Sequence, residues 1–378
     1  MRPIADCRVG ILTIREKWQQ LLGEATLSLT EAYLEGKFPF CHASGTHTYI
    51  NGSVLPTTEM VALIKALKDG QSLQANKTNI AFCSSADALT YENKEDHAAA
   101  AHYVTYTEDF QQILFPYDIF KLNGAEIEAD FKLLTDGRTS QPLSDTNTVI
   151  GDRKKIFIEE GASVECGIFN TKGGSIYIGR DAEIMEGCIV RGPFALGDHA
   201  GLKMAAKIYG ATTIGPHCRV GGEVSNAVFF GYSNKGHDGF IGNSVIAEWC
   251  NLGADTNCSN LKNNYGTVDV WSYREEKYVS SGLQFHGLIM ADHAKSGINT
   301  MFNTGTVIGV AANIFGGGFP DKFIPSFTWG GVGESVTFRF DKALEVANKM
   351  MVRREVELTK ADQDIMKVAS GRDEKYRK

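Results

Sequence analysis

At 378 residues the chain is long enough for two or three units, each with its own core. Hydrophobic residues make up 43% and charged residues 22%, the balance of a soluble globular protein. A net charge of −7 argues against nucleic acid as a partner, since such binding usually recruits a basic face. No apolar run reaches the ~18 residues of a membrane span, and no charged-then-apolar leader opens the chain. The expected location is cytoplasmic, away from membranes. Eight cysteines (7, 41, 83, 166, 188, 218, 250, 258) form no C-x-x-C pair and are expected to be buried, reduced thiols.

Residues 1 to about 112 read as helices alternating with short strands, an α/β layer. Ile11, Ile14, Trp18, Leu21 and Leu22 make one face of a helix ending at Gly23. Ser28-Leu29-Thr30-Glu31 has the capping-box pattern ahead of Ala32-Tyr33-Leu34. Thr48-Tyr49-Ile50 predicts a strand, followed by a turn at Asn51-Gly52. Thr57 or Thr58 caps a helix carrying Val61, Ile64 and Leu67, and Asn79 to Phe82 predicts another strand. The layer reads as incomplete, because such domains usually open on a strand and this chain opens almost on a helix.

A connector follows over 113–148, with a helix expected from Asn123 to Leu134 and stopped at Thr135-Asp136-Gly137. From 178 onward the pattern changes. Ile178, Ile184, Val190, Leu196, Leu202, Ile208, Ile214 and Val220 stand six apart, and a mostly small residue follows each by four. Neither the helical period of 3.6 nor the strand period of 2 yields this spacing. A chain that turns a corner every six residues does, which predicts a parallel β-helix over 149–333. The repeat is lost from Asn257 to about Gln284, and Met301, Val307 and Asn313 are read as resuming it. Over 334–378, Asp341 to Val356 and Thr359 to Ala369 predict helices, with a frayed charged tail from Arg372. The fold class is therefore mainly β, with an α/β region before the β-helix and helices after it.

Candidate chemistry lies where the repeat is disturbed, at Tyr232 to Gly239. Tyr232 and Asp238 stand at aliphatic positions there, which predicts an opening in the wall. His237, beside Gly236 and Gly239, is the side chain suited to accept a proton near neutral pH. The alternative is a histidine that merely holds a corner. Asn251 and Asn260, just beyond, suit sugar hydroxyls and amides, or else a stacked Asn ladder. No metal constellation stands out, and there is neither a phosphate-binding P-loop nor a nucleophile elbow.

Gly236-His237, Asn251-Leu252-Gly253-Ala254 and Asn260 resemble, in ungapped register, motifs of the GlmU-type sugar nucleotidyltransferase/acetyltransferase family, in its divergent GlmU-like branch. The resemblance implies a nucleotidyltransferase-like domain over 1–112 and a left-handed β-helix that acetylates an amino sugar with acetyl-CoA. It makes His237 the general base, with Asn251 and Asn260 orienting the sugar. Departures fall at Phe240 and Leu261, where the family has tyrosines, and at Ser225, near which a lysine is expected. The family's phosphate-holding arginine aligns near Lys207, and Arg219 and Lys235 are further candidates for positive charge. Lys295-Ser296-Gly297 and the turn at Gly316 and Gly317 are candidates for the CoA arm. The family's active site lies between adjacent β-helices, which implies a homotrimer.

Arg2 to Asp6 resembles the segment after the family's nucleotide loop, so that loop would lie before residue 1. Ser53 stands where the family has a Mg²⁺-binding aspartate, and serine cannot replace a carboxylate there. Mg²⁺ is expected only if this domain is active. The reading is an acyl-CoA-dependent N-acyltransferase of an amino sugar phosphate or nucleotide sugar. Two alternatives stand beside it: a sugar-1-phosphate nucleotidyltransferase with the β-helix as a trimerisation module, and a non-catalytic sugar-binding scaffold.

Overall fold

The computed structural model describes residues 1–40, 45–85 and 89–377, so Cys41 and Lys378 lie outside the described residues. It divides into two compact units, Met1–Cys7 with Leu12–Leu114 and Lys360–Ile365, and Arg8–Ile11 with Phe115–Thr359 and Met366–Lys378.

In the first unit the helix Ile14–Leu22 forms where its caps dictate. Thr13 and Glu16 make a reciprocal capping box, and Gly23 ends the helix at φ 75°. Its inner face buries Ile14 and Trp18, and the indole N–H donates to the Val54 carbonyl at 2.9 Å. The predicted capping box at Ser28 is not made: the Ser28 hydroxyl accepts a hydrogen bond from Arg15 instead. The helix it would have capped is a single turn, Ala32–Glu35. Four strands form a sheet in the order His47–Ile50, Thr78–Ser84, Gln71–Ala75, His102–Thr105. Gln71–Ala75 escapes sequence reading because its hairpin turns on Asn76 and Lys77, both at positive φ, without the usual glycine.

In the second unit the helix Asp118–Thr135 begins five residues earlier than expected from Asn123. Asn123 is a poor helix former, but its amide is fully used: it accepts from Gly10 N at 2.8 Å and donates to Ala211 O at 2.8 Å. Ile127 of the same helix packs with Ile11, Phe157, Tyr177 and Ala195 on the flank of the β-helix.

The β-helix is a left-handed parallel solenoid of about ten turns. Strands of two or three residues lie on three faces, each paired with the same strand one turn away. Glu183 pairs with Gly201 and Gly201 with Arg219, a rise of eighteen residues per turn. The aliphatic sixfold positions from Ile178 to Val220 all point inward and are at most 1% exposed, as are the small residues between them. Stacking then covers each inward side chain from above and below, which is why one period suffices for the whole core.

Past Val220 the count changes, and two expectations are corrected. Arg219 pairs with Asn234, fifteen residues on, and Asn234 with Asn251, seventeen on. The inward positions are therefore Val224, Phe229, Lys235, Ile241, Ile246 and Leu252. Tyr232 lies at a corner, so no opening forms in the wall at Tyr232 and Asp238. After the insertion the inward residues are Phe302, Ile308 and Ile314, one place beyond Met301, Val307 and Asn313. A one-residue slip exchanges the two faces of a strand, and Met301 is accordingly 38% exposed.

The insertion itself carries a hairpin, Asp269–Ser272 with Lys277–Ser280. Trp271 stacks on Phe323 at 4.3 Å, and Tyr376 closes edge-on against Trp271. Asp373 accepts from Tyr273 Oη at 2.9 Å and from Ser326 N at 2.6 Å. The tail is therefore packed through Arg377 rather than frayed, because its one aromatic and one aspartate complete this cluster.

Cys188, Cys218, Cys250 and Cys258 are buried in the coil, and burial pushes the Cys218 thiol up to about 12. Cys166 is exposed at a corner, contrary to expectation. Among the described residues no helix is long and apolar enough to cross a membrane.

His286 yields a pH test of this fold. It is fully buried between the rings of Tyr117 and Phe120, with Nδ1 3.1 Å from Gly287 O and Nε2 without a partner among the described residues. Burial lowers its pKa from 6.5 to about 4. The unfolded chain therefore binds the extra proton, so this stability is complete above pH 6.5 and is lost as pH falls toward 4. The loss expected is about 3 kcal/mol at 1.36 kcal/mol per pKa unit. His286→Phe should flatten the melting curve's pH dependence over that window; equal slopes in both proteins would refute the assignment.

Candidate functional site

One edge of the β-helix gathers most of the residues singled out above. The edge is formed by the corners that follow Asn234–Lys235, Asn251–Leu252, Lys295–Ser296 and Asn313–Phe315 on four successive turns. His237 and Asp238 occupy the first corner, Asp255 the second, Asn299 the third, and Gly316 and Gly317 the fourth. Adjacent strands of a sheet lie about 4.8 Å apart. The corners therefore make a continuous ridge.

His237 is exposed, and its ring makes no hydrogen bond among the described residues. The backbone below it is tightly set. Gly239 has φ +114°, and a Cβ there would lie 2.3 Å from Thr256 O on the next turn. Gly236 has open space around its Cα. One glycine is thus demanded by contact with the coil above, and the other leaves the approach to His237 clear.

The outward row on one side of this edge runs Arg219, Asn234, Asn251, Lys295, Asn313 on neighbouring strands. Three of these were expected as site residues; Asn234 and Asn313 were not, and of the two Asn234 is brought into line by the shortened turns. Arg219 donates to Cys218 O at 3.1 Å and to His199 O. Lys295 is mostly covered and donates to His293 O at 2.8 Å; burial lowers its pKa to about 8. Ser296 points inward and lies 3.1 Å from the Thr256 hydroxyl.

On the other side of the edge the outward row is Lys207, Glu223, Phe240. Glu223 is 3.7 Å from Lys207 Nζ and accepts from Tyr209 Oη at 2.6 Å. The Phe240 amide donates to Asn257 Oδ1 at 2.8 Å, and Asn260 Nδ2 donates to Asn243 Oδ1 at 2.8 Å. Asn257 and Asn243 were missed in the sequence. Asn243 is at φ 47°, where asparagine is tolerated, and that preference was its only signal. Beside Asn260 lies an open cleft of about 390 Å³ lined by Ser259, Leu261, Lys262, Asn263, Asn303 and Thr304 among others.

Lys235 takes a different place from the other cations. It is 0% exposed and points into the coil, with Nζ 2.8 Å from His237 O and 3.2 Å from Asp238 O. In the first unit, Ser53 is buried: its hydroxyl donates to Asn51 Oδ1 at 2.7 Å and accepts from Gln112 Nε2 at 2.8 Å. Among the described residues no group of three or more metal-ligating side chains assembles.

The second unit is thus a left-handed β-helix of the hexapeptide-repeat class, with a polar edge carrying an exposed histidine. Residues 1–139 match the family described as "Sugar nucleotidyl transferase". A bifunctional sugar-1-phosphate nucleotidylyltransferase/acetyltransferase of Sulfurisphaera tokodaii is 35% identical over 95 residues, 25% of this chain and 23% of that protein. The chain thus spans under a quarter of the curated relative it matches. The Arabidopsis UDP-N-acetylglucosamine acyltransferase is 16% identical, with a TM-score of 0.26, over 57% of this chain and 80% of its own. AntD, a Bacillus cereus N-acyltransferase in complex with dTDP and 3-hydroxybutyryl-CoA, is 16% identical, with a TM-score of 0.25, over 55% and 91%. Likeness at that level carries no weight for function.

The two glycines beside His237 should separate cleanly. Gly239→Ala should destabilise by about 1–3 kcal/mol, the usual cost of forcing atoms into a filled space. Gly236→Ala should stay within about 0.5 kcal/mol, the range of substitutions that touch nothing. Denaturant titration of the two variants measures both; equal losses would mean the corner is drawn wrongly.

Proposed function

We propose that the second unit is an acyl-CoA-dependent N-acyltransferase whose acceptor is an amino sugar, carried as a sugar phosphate or nucleotide sugar. The observation that carries this reading is His237: an exposed imidazole with no hydrogen-bond partner among the described residues, at the centre of a polar edge. The acceptor's amine attacks the thioester carbonyl as His237 takes its proton. The C–N bond forms, the C–S bond breaks, and the thiol of CoA leaves with the proton that the imidazolium returns.

Asn251 and Asn260 orient the sugar through hydroxyl and amide contacts, with the cleft beside Asn260 as its seat. Arg219 and Lys207 stand on the two sides of the edge and supply charge to a phosphate. Lys295 and Gly297, with Gly316 and Gly317 one turn further, flank the path of the acetyl-CoA arm; Ser296, buried against Thr256, takes no part. Met204 and Ile298 are 68% and 71% exposed at corners of the same edge, and a neighbouring copy in a homotrimer would cover them.

A second reading concerns the first unit, and the match of residues 1–139 favours it: transfer of a nucleotidyl group to a sugar phosphate. Ser53 opposes it, since its hydroxyl is engaged by Asn51 and Gln112 and offers Mg²⁺ no carboxylate. Pyrophosphate release should be undetectable with nucleoside triphosphates, Mg²⁺ and sugar 1-phosphates. Turnover above ~1 per second, an ordinary enzyme rate, would instead establish the second reading.

For the first reading, thiol release from acetyl-CoA should be followed with a panel of amino sugars and their phosphates. His237→Ala should lower kcat by roughly 10²–10⁴-fold, the range for losing a general base. KM for the sugar should change far less, because the loss falls in the transition state. The acidic limb of the kcat profile should vanish with the imidazole. His199→Ala is the control, as its side chain is 47% exposed and lies at a different corner. Equal, modest losses from both variants, or a solution mass of one 41.3 kDa chain rather than three, would set the reading aside.

A further inference from the structure

Every other strand on the face that carries Lys235 turns an apolar or small side chain inward. Val164, Ile184, Leu202 and Val220 precede it in the row, and Leu252, Ser296 and Ile314 follow. A lysine in this row is costly, since an ammonium surrounded by Val220, Leu252 and the coil core has lost its water. Nothing in the solenoid's packing asks for it. Methionine would fill the same space without a charge.

The lysine is bound instead by the backbone two and three residues further along the chain. Its Nζ donates to the carbonyls of His237 at 2.8 Å and Asp238 at 3.2 Å. Among the described residues, no other donor reaches the His237 carbonyl. Asp238 O also accepts from Asp255 N at 3.1 Å, which ties the same corner to the next turn. The space for this arrangement is kept open by Gly222 on the preceding turn. A Cβ there would lie 2.9 Å from Lys235 Nζ, 2.9 Å from His237 O and 2.8 Å from Gly239 O.

Without the ammonium the His237 carbonyl would lose its donor, while Asp238 O would keep only the Asp255 amide. With both turned onto the ammonium, the His237 side chain is held on the outer side of the corner. We propose that Lys235 is a positioning residue: a buried ammonium that fixes the His237 corner from inside the coil and so aims the imidazole at the acceptor amine. It does not touch substrate. Burial lowers its pKa to about 8, offset in part by Asp238 and Asp255, so it remains mostly charged at neutral pH.

The proposal deepens the acyltransferase reading, and its test separates the two. Lys235→Met keeps the volume and removes the charge; Lys235→Gln keeps an N–H donor and is the companion should the first fail to fold. In Lys235→Met, kcat should fall about 10–100-fold, with KM for acetyl-CoA changed less than threefold and the melting temperature unchanged or raised. Combined with His237→Ala it should cost nothing further, because a residue that acts only through His237 has nothing left to position. Lys235→Gln should retain more activity than Lys235→Met. Hydrogen exchange supplies the readout that needs no turnover: amides of Gly236 to Phe240 should exchange at least tenfold faster in Lys235→Met, with neighbouring turns unchanged.

If the native protein transfers no acyl group but the local exchange still accelerates, the acyltransferase reading fails and the positioning role stands. Activity within twofold of native, a loss that adds to that of His237→Ala, or unchanged exchange at 236–240 would each overturn the role of Lys235.

Discussion

The β-helix depends on one backbone event repeated at the same corner of each turn, a single residue in the left-handed region. Asp181, His199, His217, Tyr232, Trp249, His293, Ala311 and Phe327 occupy it, at φ between 53° and 61°. None of these eight is glycine, although the first turn has Gly161 there at φ 79°, and each conformation costs about 1–2 kcal/mol for an L-residue. The stack itself offsets that cost. The amides of His199, His217 and Tyr232 donate to Arg180 O, Asp198 O and Pro216 O on the preceding turn, at 2.8–3.0 Å. The rings stack as well: His217 on Tyr232 at 4.5 Å, and Tyr232 on Trp249 at 4.2 Å. An isolated turn would hold none of these residues in place. The corner and the solenoid therefore stabilise each other, and neither forms first at low cost.

The same dependence explains where function can be placed. Regular eighteen-residue turns leave no freedom, since every inward position must be covered by its neighbours. The freedom appears where the turns shorten to fifteen and seventeen residues. There Glu223–Phe229 and Phe240–Ile246 each run across two faces as one strand, bending at Asn226 and Asn243 with φ of 51° and 47°. Shortening removes corner residues but keeps the inward row intact. It also carries Asn243 to Asn260 and sets Asn234 in line with Arg219 and Asn251. The buried charge of Lys235 sits in these turns, which fits a coil that gives up some stability where it needs a defined loop.

The fold was largely legible because a hydrophobic period survives any outward substitution. Eight consecutive positions from Ile178 to Val220 revealed the coil, and all eight are inside. The reading faltered where the period is not constant. Lys235 is polar and inward, so a rule that places aliphatic residues inside cannot find it. Met301, Val307 and Asn313 kept the spacing but lay one residue off the true row, because the insertion carries no marker of register. The tail was misjudged for a different reason: Asp373 and Tyr376 gain their order from Tyr273 and Trp271, a hundred residues earlier. Composition is local and that cluster is not.

In this chain, similarity and geometry point to different places. The family match ends at residue 139, before the first full turn of the coil, and the residue it leads one to inspect, Ser53, is buried in bonds to Asn51 and Gln112. The coil brings together an exposed imidazole, one row of amides and cations from Arg219 to Asn313, and a buried ammonium under the imidazole's own backbone. A merely structural solenoid has no need of that ammonium, because an apolar side chain would stabilise the turn more cheaply. On the proposed reading, an ammonium bonded to the carbonyls of His237 and Asp238 serves to hold the exposed imidazole in place.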